Sequence, residues 1–193
     1  MFDKYSCLSS IVVNENKKTD LVFPIPITDE NQKPIFQIIN KKFDTILDCK
    51  THSNDDLISF VHLFNGALIN LHIVRKIGNI NLSLYHHGSE LDYYYRLSKY
   101  GKMLTNCNSI HYHPNINKRP INNLWIYYYV MNSILVNKKY LDFYFLRNIK
   151  VIVASLIRIY QRNGLHYFLF EFLLHKNFII FIKAIIKGIF SKI

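Results

Sequence analysis

Along the first 50 residues, apolar positions come in short runs separated by turn formers. Residues 8–13 (LSSIVV) form a β-rich run ending in the turn Asn14-Glu15-Asn16. Residues 21–27 carry Pro24 and Pro26, which suit an edge strand or an otherwise extended stretch. Residues 55–67 bring a further apolar stretch ending at Gly66, and residues 68–77 read as a short helix stopped by Gly78. The sharpest local signal lies at residues 88–101. There Ser89 can cap a helix whose third following position is Asp92, and Gly101 stands where that helix should end. Asp92 and Arg96, four apart, share one face of it. Residues 103–112 read as a strand leading into His113-Pro114. Beyond Pro120 the period lengthens: residues 122–140, residues 141–162 with a stop at Asn163-Gly164, and residues 165–193 all read as helical segments.

Composition narrows the class. A chain of 193 residues, 50% apolar and 19% charged, can bury a real core and is not intrinsically disordered. Its net charge of +11 is unevenly placed: residues 1–114 hold 12 Lys/Arg against 11 Asp/Glu, and residues 115–193 hold 12 against 2. Such a tail attracts either nucleic acid or an anionic membrane surface. Its cations are interleaved with Ile, Phe and Leu at helical spacing rather than clustered on a polar face, which favours the membrane and argues against nucleic acid. The same charges break the apolar runs below the length needed to span a bilayer. In the last segment Lys183 and Lys187 share one face while Phe178, Phe181, Ile182, Ile185, Ile186 and Ile189 cover the rest, the pattern of a helix lying among headgroups. Cys7, Cys49 and Cys107 are odd in number and far apart, with no CxxC pair, which fits a reducing cytosol and indicates neither a disulfide framework nor a zinc site. The first ten residues lack the basic start and apolar run of a signal peptide.

Carboxylate and imidazole concentrate in one region: His86, His87, Ser89, Glu90 and Asp92, then His111 and His113. Carboxylates at a helix start stay ionised, because the backbone N–H groups and the macrodipole favour negative charge there, and an ionised Glu or Asp at a cleft can take a proton from an attacking hydroxyl. Capping alone also favours acids in a first turn, so spacing leaves both readings open. Likewise the Tyr127, Tyr128 and Tyr129 run suits packing as well as ligand contact.

Several segments, in order, resemble the second half of a family 2 glycosyltransferase of the GT-A fold, nearest in flavour to the rhamnosyl- and galactofuranosyltransferase-like branch. They are Phe64-Asn65-Gly66-Ala67-Leu68-Ile69, Val74-Arg75-Lys76-Ile77-Gly78, Gly88-Ser89-Glu90-Leu91-Asp92-Tyr93 with Arg96-Leu97 and Gly101, His113-Pro114, and Tyr128-Tyr129-Val130-Met131-Asn132. The last is similar to the family's Tyr-Tyr-x-x-Arg-Asn helix, with Met131 where Arg is usual. The resemblance covers about residues 5–140. It implies that Glu90 is the catalytic base and that Asp92 orients the acceptor. It further implies that Asn65, Gly66, Ala67 and Arg96 bind the acceptor, and that His113, or His111 if the register slips, is the histidine completing a divalent-metal site (Mn²⁺ or Mg²⁺). Ser89 replaces the first acid of the usual pair.

The 193 residues contain no Asp-x-Asp, the motif whose carboxylates hold that metal against the donor diphosphate, and Asp55-Asp56 is adjacent rather than alternating. The expectation is therefore an α/β chain in two parts. Residues 1–114 would be the acceptor-side half of a GT-A domain, a partial fold with a mixed sheet and flanking helices. Residues 115–193 would be a helical, amphipathic, basic, membrane-associating region. In function it would be a truncated inverting enzyme of bacterial surface-polysaccharide synthesis, peripheral on the cytoplasmic face of the inner membrane and inactive alone, acting between a nucleotide-sugar and a lipid-linked glycan. The other expectation is a non-catalytic membrane-surface remnant, or a partner subunit completing a separately encoded donor-binding chain.

Overall fold

The computed structural model describes residues 4–16, 18–39, 41–114 and 119–192. It is a mixed α/β fold, a curled six-stranded sheet followed by C-terminal helices. The described residues form two compact units, those of 4–80 with 93–114 and those of 81–92 with 119–192. Residues 81–92, expected with the first part, thus belong to the second.

In the first unit, β1 (Tyr5–Asn14), β2 (Asp20–Pro26), β3 (Lys42–Thr45), β4 (Leu57–Ser59), β5 (Ala67–Ile69) and β6 (Lys102–His113) are arranged in the order β3-β2-β1-β6-β4, with β5 also on β1. β1 is the organising strand. β6 runs parallel along one edge of it; the other edge is shared by β5 opposite residues 7–9 and by β2 at Val13. A central strand is covered on both faces, which is why Ile11, Val12 and Val13 form an unbroken buried run. The parallel register slips between Ser10 and Ile11, opposite Asn106 and Ile110, so residues 107–109 have no partner on β1. That bulge is held by Ser109 Oγ with Ser10 Oγ (2.7 Å) and by Asn108 Nδ2 donating to Asp56 (2.7 Å).

β2 is not an edge strand. It lies between β3 and β1; Pro24 falls within the register shift between Asp20 and Ile25, and Pro26 ends the strand opposite Lys42. The first 50 residues, read as strands and turns only, also contain α1 (Ile46–His52). Its capping box is complete, with Thr45 Oγ1 accepting from Asp48 N–H and the Asp48 carboxylate accepting from Thr45 N–H. The stretch read as one helix over residues 68–77 divides into β5 and α2 (Leu71–Ile77). Asn70 caps α2, and it ends at Gly78 as expected.

The second unit is built on α4 (Asn123–Tyr140), with α5 (Tyr144–His166), a π-helical segment (Tyr167–Leu173) and α6 (Lys176–Phe190). Asn122 caps α4, its Oδ1 accepting from Trp125 N–H at 2.8 Å. Residues 130–136 of α4 are buried without a break, so α4 is enclosed on every side, with α5 and α6 packed on it. The α-helical path within α5 is interrupted at Gly164 (φ 84°, ψ 168°), at the expected stop. α6 packs through Phe181, Ala184 and Gly188, which are buried. Phe181 therefore faces protein, not the outer surface where it was expected, because α4 needs an apolar cover on this side. Phe178 and Ile185 are half-buried, and Ile182, Ile186 and Ile189 remain outside.

Candidate active site

α3 (Ser89–Ser98) carries the two carboxylates. Its first turn closes on Gly88, whose C=O accepts from Asp92 N–H at 2.9 Å, so Ser89 is the first helical residue rather than the cap. Gly88 has φ 91°, and a Cβ there would lie 3.1 Å from Asn132 Cβ, so glycine is required both for the backbone turn and for close approach to α4. Asn132, wholly buried, donates from Nδ2 to the carbonyls of Tyr85 (2.9 Å) and His87 (2.7 Å). One side chain in the middle of α4 thereby fixes the loop that delivers the start of α3.

Glu90 stands half-buried in that first turn. Asp92 is 1% exposed, and its Oδ1 accepts from Tyr140 Oη at 2.6 Å and from Lys139 Nζ at 3.0 Å. Its carboxylate ties α3 to the end of α4. Around the same loop, His87 lies 4.5 Å from the ring of Tyr129, which stacks on Trp125 at 4.3 Å, with the Arg158 guanidinium 5.0 Å from Tyr129. Burial, and then the charge of Arg158, hold the His87 imidazole down to about 4, so it is neutral at pH 7. Tyr128 meets Tyr85 edge-on, and Lys187 lies over Tyr127, so each tyrosine of the run is engaged with a ring or a cation.

In the sheet unit, Asn65 and Gly66 form the turn into β5, and Ala67 pairs with Ser9 of β1. A Cβ at Gly66 would lie 3.5 Å from the ring of the exposed His111. A groove of about 310 Å³ opens here, lined in part by Ser9, Ser10, Gly66, Leu68, Asn106 and Ser109. Most of its surface is apolar, with Leu8 and Leu57 also in the lining, and the Ser10 and Ser109 hydroxyls within it are bonded to each other at 2.7 Å. Arg96 is used differently: its guanidinium donates to the carbonyls of Ile77 (3.0 Å) and Asn79 (2.8 Å), closing the segment after α2, and lies over the Tyr93 ring.

His113 Nδ1 lies 2.7 Å from the Pro114 carbonyl. A carbonyl can only accept, so Nδ1 carries the proton, and a neutral ring keeps a lone pair on Nε2. That is a ligand's tautomer, but among the described residues no group of three or more His, Cys, Asp or Glu is placed to hold a metal ion. The donor set of these residues therefore supplies one ligand and does not by itself fit a closed metal site.

Asn132, Lys139 and Tyr140 were not singled out as site residues by sequence reasoning. The usable signal was the Asn closing the Tyr-Tyr motif; no local pattern marks Lys139 or Tyr140. Comparison with known protein families, with curated proteins and with solved structures finds no match.

Proposed function

We propose that this chain carries the acceptor side of an inverting glycosyltransferase of family 2 type, working on a lipid-linked glycan at the cytoplasmic face of a bacterial inner membrane. One observation carries the reading. Two segments that the resemblance connects only by order, Gly88–Asp92 and Tyr128–Asn132, come together in space: Asn132 bonds the carbonyls of Tyr85 and His87 just ahead of Gly88, and a Cβ at Gly88 would lie 3.1 Å from Asn132 Cβ. Together they hold the first turn containing Glu90.

In this reading an acceptor hydroxyl gives its proton to the Glu90 carboxylate as its oxygen attacks the anomeric carbon of a nucleotide-sugar. The bond to the diphosphate oxygen breaks, the nucleotide leaves with that electron pair, and the configuration inverts. Glu90 touches the reacting hydroxyl. Asp92, Tyr140, Lys139 and Asn132 are positioning residues. A divalent metal would neutralise the leaving diphosphate; no step is assigned to it, since the residues present offer His113 alone.

The test is transfer of labelled sugar from UDP- or dTDP-sugars to lipid-linked acceptor in membranes containing the chain. Glu90→Gln is expected to lower the rate by about 10²- to 10⁴-fold, the usual worth of a general base. The purified chain alone, with Mn²⁺ or Mg²⁺, is expected to transfer nothing. An unchanged rate in Glu90→Gln would refute the assignment. A specific observation favours the second reading, a non-catalytic membrane-surface protein or partner subunit: Asp92 and Arg96 are committed to internal contacts. That reading is correct if Glu90→Gln leaves transfer intact while loss of the whole chain abolishes it.

A further inference from the structure

α5 is built with its polarity reversed. A helix on a water-soluble domain turns its apolar stripe inward. Here the buried positions are Asn148, Ser155 and Ile159, while Leu146, Ile149, Val153, Ile157 and Tyr160 are each between 44% and 50% exposed. Their spacing of 3, 4, 4 and 3 residues keeps them on one face for about 21 Å of helix. The inward polar groups are satisfied: Asn148 Oδ1 accepts from Asn137 Nδ2 of α4 at 3.1 Å, and Ser155 Oγ donates to the Val151 carbonyl at 2.7 Å. The inversion is thus a settled feature of the packing. α6 repeats it in milder form, with Ile179, Ile182, Ile186 and Ile189 between 38% and 56% exposed around Lys183 and Lys187.

The occupant of this face must be apolar along four helical turns and must tolerate a segment in which 12 cations oppose 2 acids. A second copy of the chain would bring two such surfaces of like charge together. No helix among the described residues is long and apolar enough to cross a membrane. An anionic bilayer meets both demands, with acyl chains for the stripe and headgroups for Arg147, Lys150 and Arg162 on the same helix.

We propose that α5 lies in the plane of an anionic bilayer, its Leu146–Ile149–Val153–Ile157–Tyr160 stripe at the boundary of headgroups and acyl chains, with the outer isoleucines of α6 as a second contact. This deepens the membrane-surface part of the reading above and does not depend on the transfer chemistry, so the two fail separately.

The experiment is vesicle flotation of the full chain with phosphatidylcholine alone and with phosphatidylcholine mixed with phosphatidylglycerol. The wild type is expected to float with the mixed vesicles and only weakly with the neutral ones. The triple variant Ile149→Asn, Val153→Asn, Ile157→Asn removes three side chains that each contribute about tenfold when embedded, and is expected to lose binding by at least about 100-fold. All three are half-exposed, so the fold should survive, which circular dichroism checks. Lys183→Gln with Lys187→Gln, read alongside it, should lower only the preference for anionic lipid, by about tenfold. Unchanged flotation of a folded triple variant would overturn the proposal. So would a wild type that ignores both vesicles and sediments as a dimer that the triple variant converts to monomer. Loss of transfer in Glu90→Gln with flotation intact is the result expected if both readings hold, and loss of flotation in that variant would count against this one.

Discussion

Replacing Asn132 by aspartate changes almost no volume but reverses the sense of two hydrogen bonds. In the wild type, Nδ2 donates at 2.9 Å and 2.7 Å to the carbonyls of Tyr85 and His87, and Asn132 is fully buried. Asn132 Oδ1 is itself buried without a partner among the described residues. Asn132→Leu removes both donors. Each orphaned carbonyl costs about 1–3 kcal/mol if it stays dry, and relief of the stranded Oδ1 offsets part of that, leaving a net loss of about 2 kcal/mol. Asn132→Asp keeps the shape but directs a carboxylate at two carbonyl oxygens, so the group must either ionise against them or remain protonated and satisfy only one. The loss at pH 8 should therefore exceed that of Asn132→Leu by a further ~2 kcal/mol. The aspartate's pKa is raised in the fold, so its penalty is small at low pH and grows as pH rises above the ordinary carboxylate range; the difference between the two variants should shrink toward pH 4.5.

The single tryptophan, Trp125, lies on α4 in the same unit, so its fluorescence in guanidinium chloride reports the affected packing directly. If Asn132→Asp and Asn132→Leu have equal midpoints at pH 8, Asn132 is a filler rather than a clamp. The account of how the start of α3 is held then fails, and with it the main support for placing Glu90 at a reacting centre.

Three further outcomes follow from the same geometry. The neutral imidazoles of His87 and His62 are held down to about 4, chiefly by burial, so between pH 4 and 6.5 the unfolded chain binds more protons and stability must fall as pH drops through that window. His87→Phe should flatten the pH dependence of the Trp125 transition, and an unchanged slope would refute the assignment. At Gly188 a Cβ would come within 2.9 Å of Ile134 Cβ and 3.0 Å of the Met131 carbonyl, so Gly188→Ala is expected to cost about 1–3 kcal/mol in the same denaturation assay, against almost nothing for Ala at an ordinary helix position near a chain end. Cys7, Cys49 and Cys107 are all buried, with the thiols of Cys7 and Cys49 pushed up to about 12. A disulfide reagent at pH 8 should therefore react with none of them until denaturant is added, and rapid labelling of the native chain would contradict the burial.

The elements most legible in sequence were those governed by local rules. α4 begins at its Asn cap, the α-helical path breaks at Gly164, and β1 and β6 follow their apolar runs, because capping, glycine backbone freedom and strand composition act over a few residues. α1 was missed although Thr45-x-x-Asp48 announces it. Its seven residues bury only Cys49, so no periodicity reinforces the cap. The start of α3 was placed one residue late, since Ser89 is the better cap by type while Gly88 is the residue whose backbone can make the turn against Asn132. Nothing local could have shown that Asn132 would serve Tyr85 and His87, 47 and 45 residues away, or that Asp92 would be met by Lys139 and Tyr140.

The reversed polarity of the helical unit escapes hydropathy for a related reason. Counting apolar residues along α5 shows how many there are, while the identity of the buried ones depends on the partner helix. α4 offers Asn137 to Asn148 and Asn123 to Asn177, so amide pairs sit among the apolar contacts between the helices while other aliphatic side chains remain outside. In water that exchange is unfavourable on both counts, since amide pairs add little net stability and the exposed stripes forfeit burial. It becomes favourable if the outer faces are removed from water by something other than protein. The charge asymmetry and the packing inversion then have one cause. On the bilayer proposal, the cations beyond residue 114 accompany faces that leave water, on the unit that also holds the first turn of α3 and Glu90. If both proposals hold, a base carried on such a unit would meet acceptors presented at a membrane surface, where a lipid-linked glycan offers its hydroxyl.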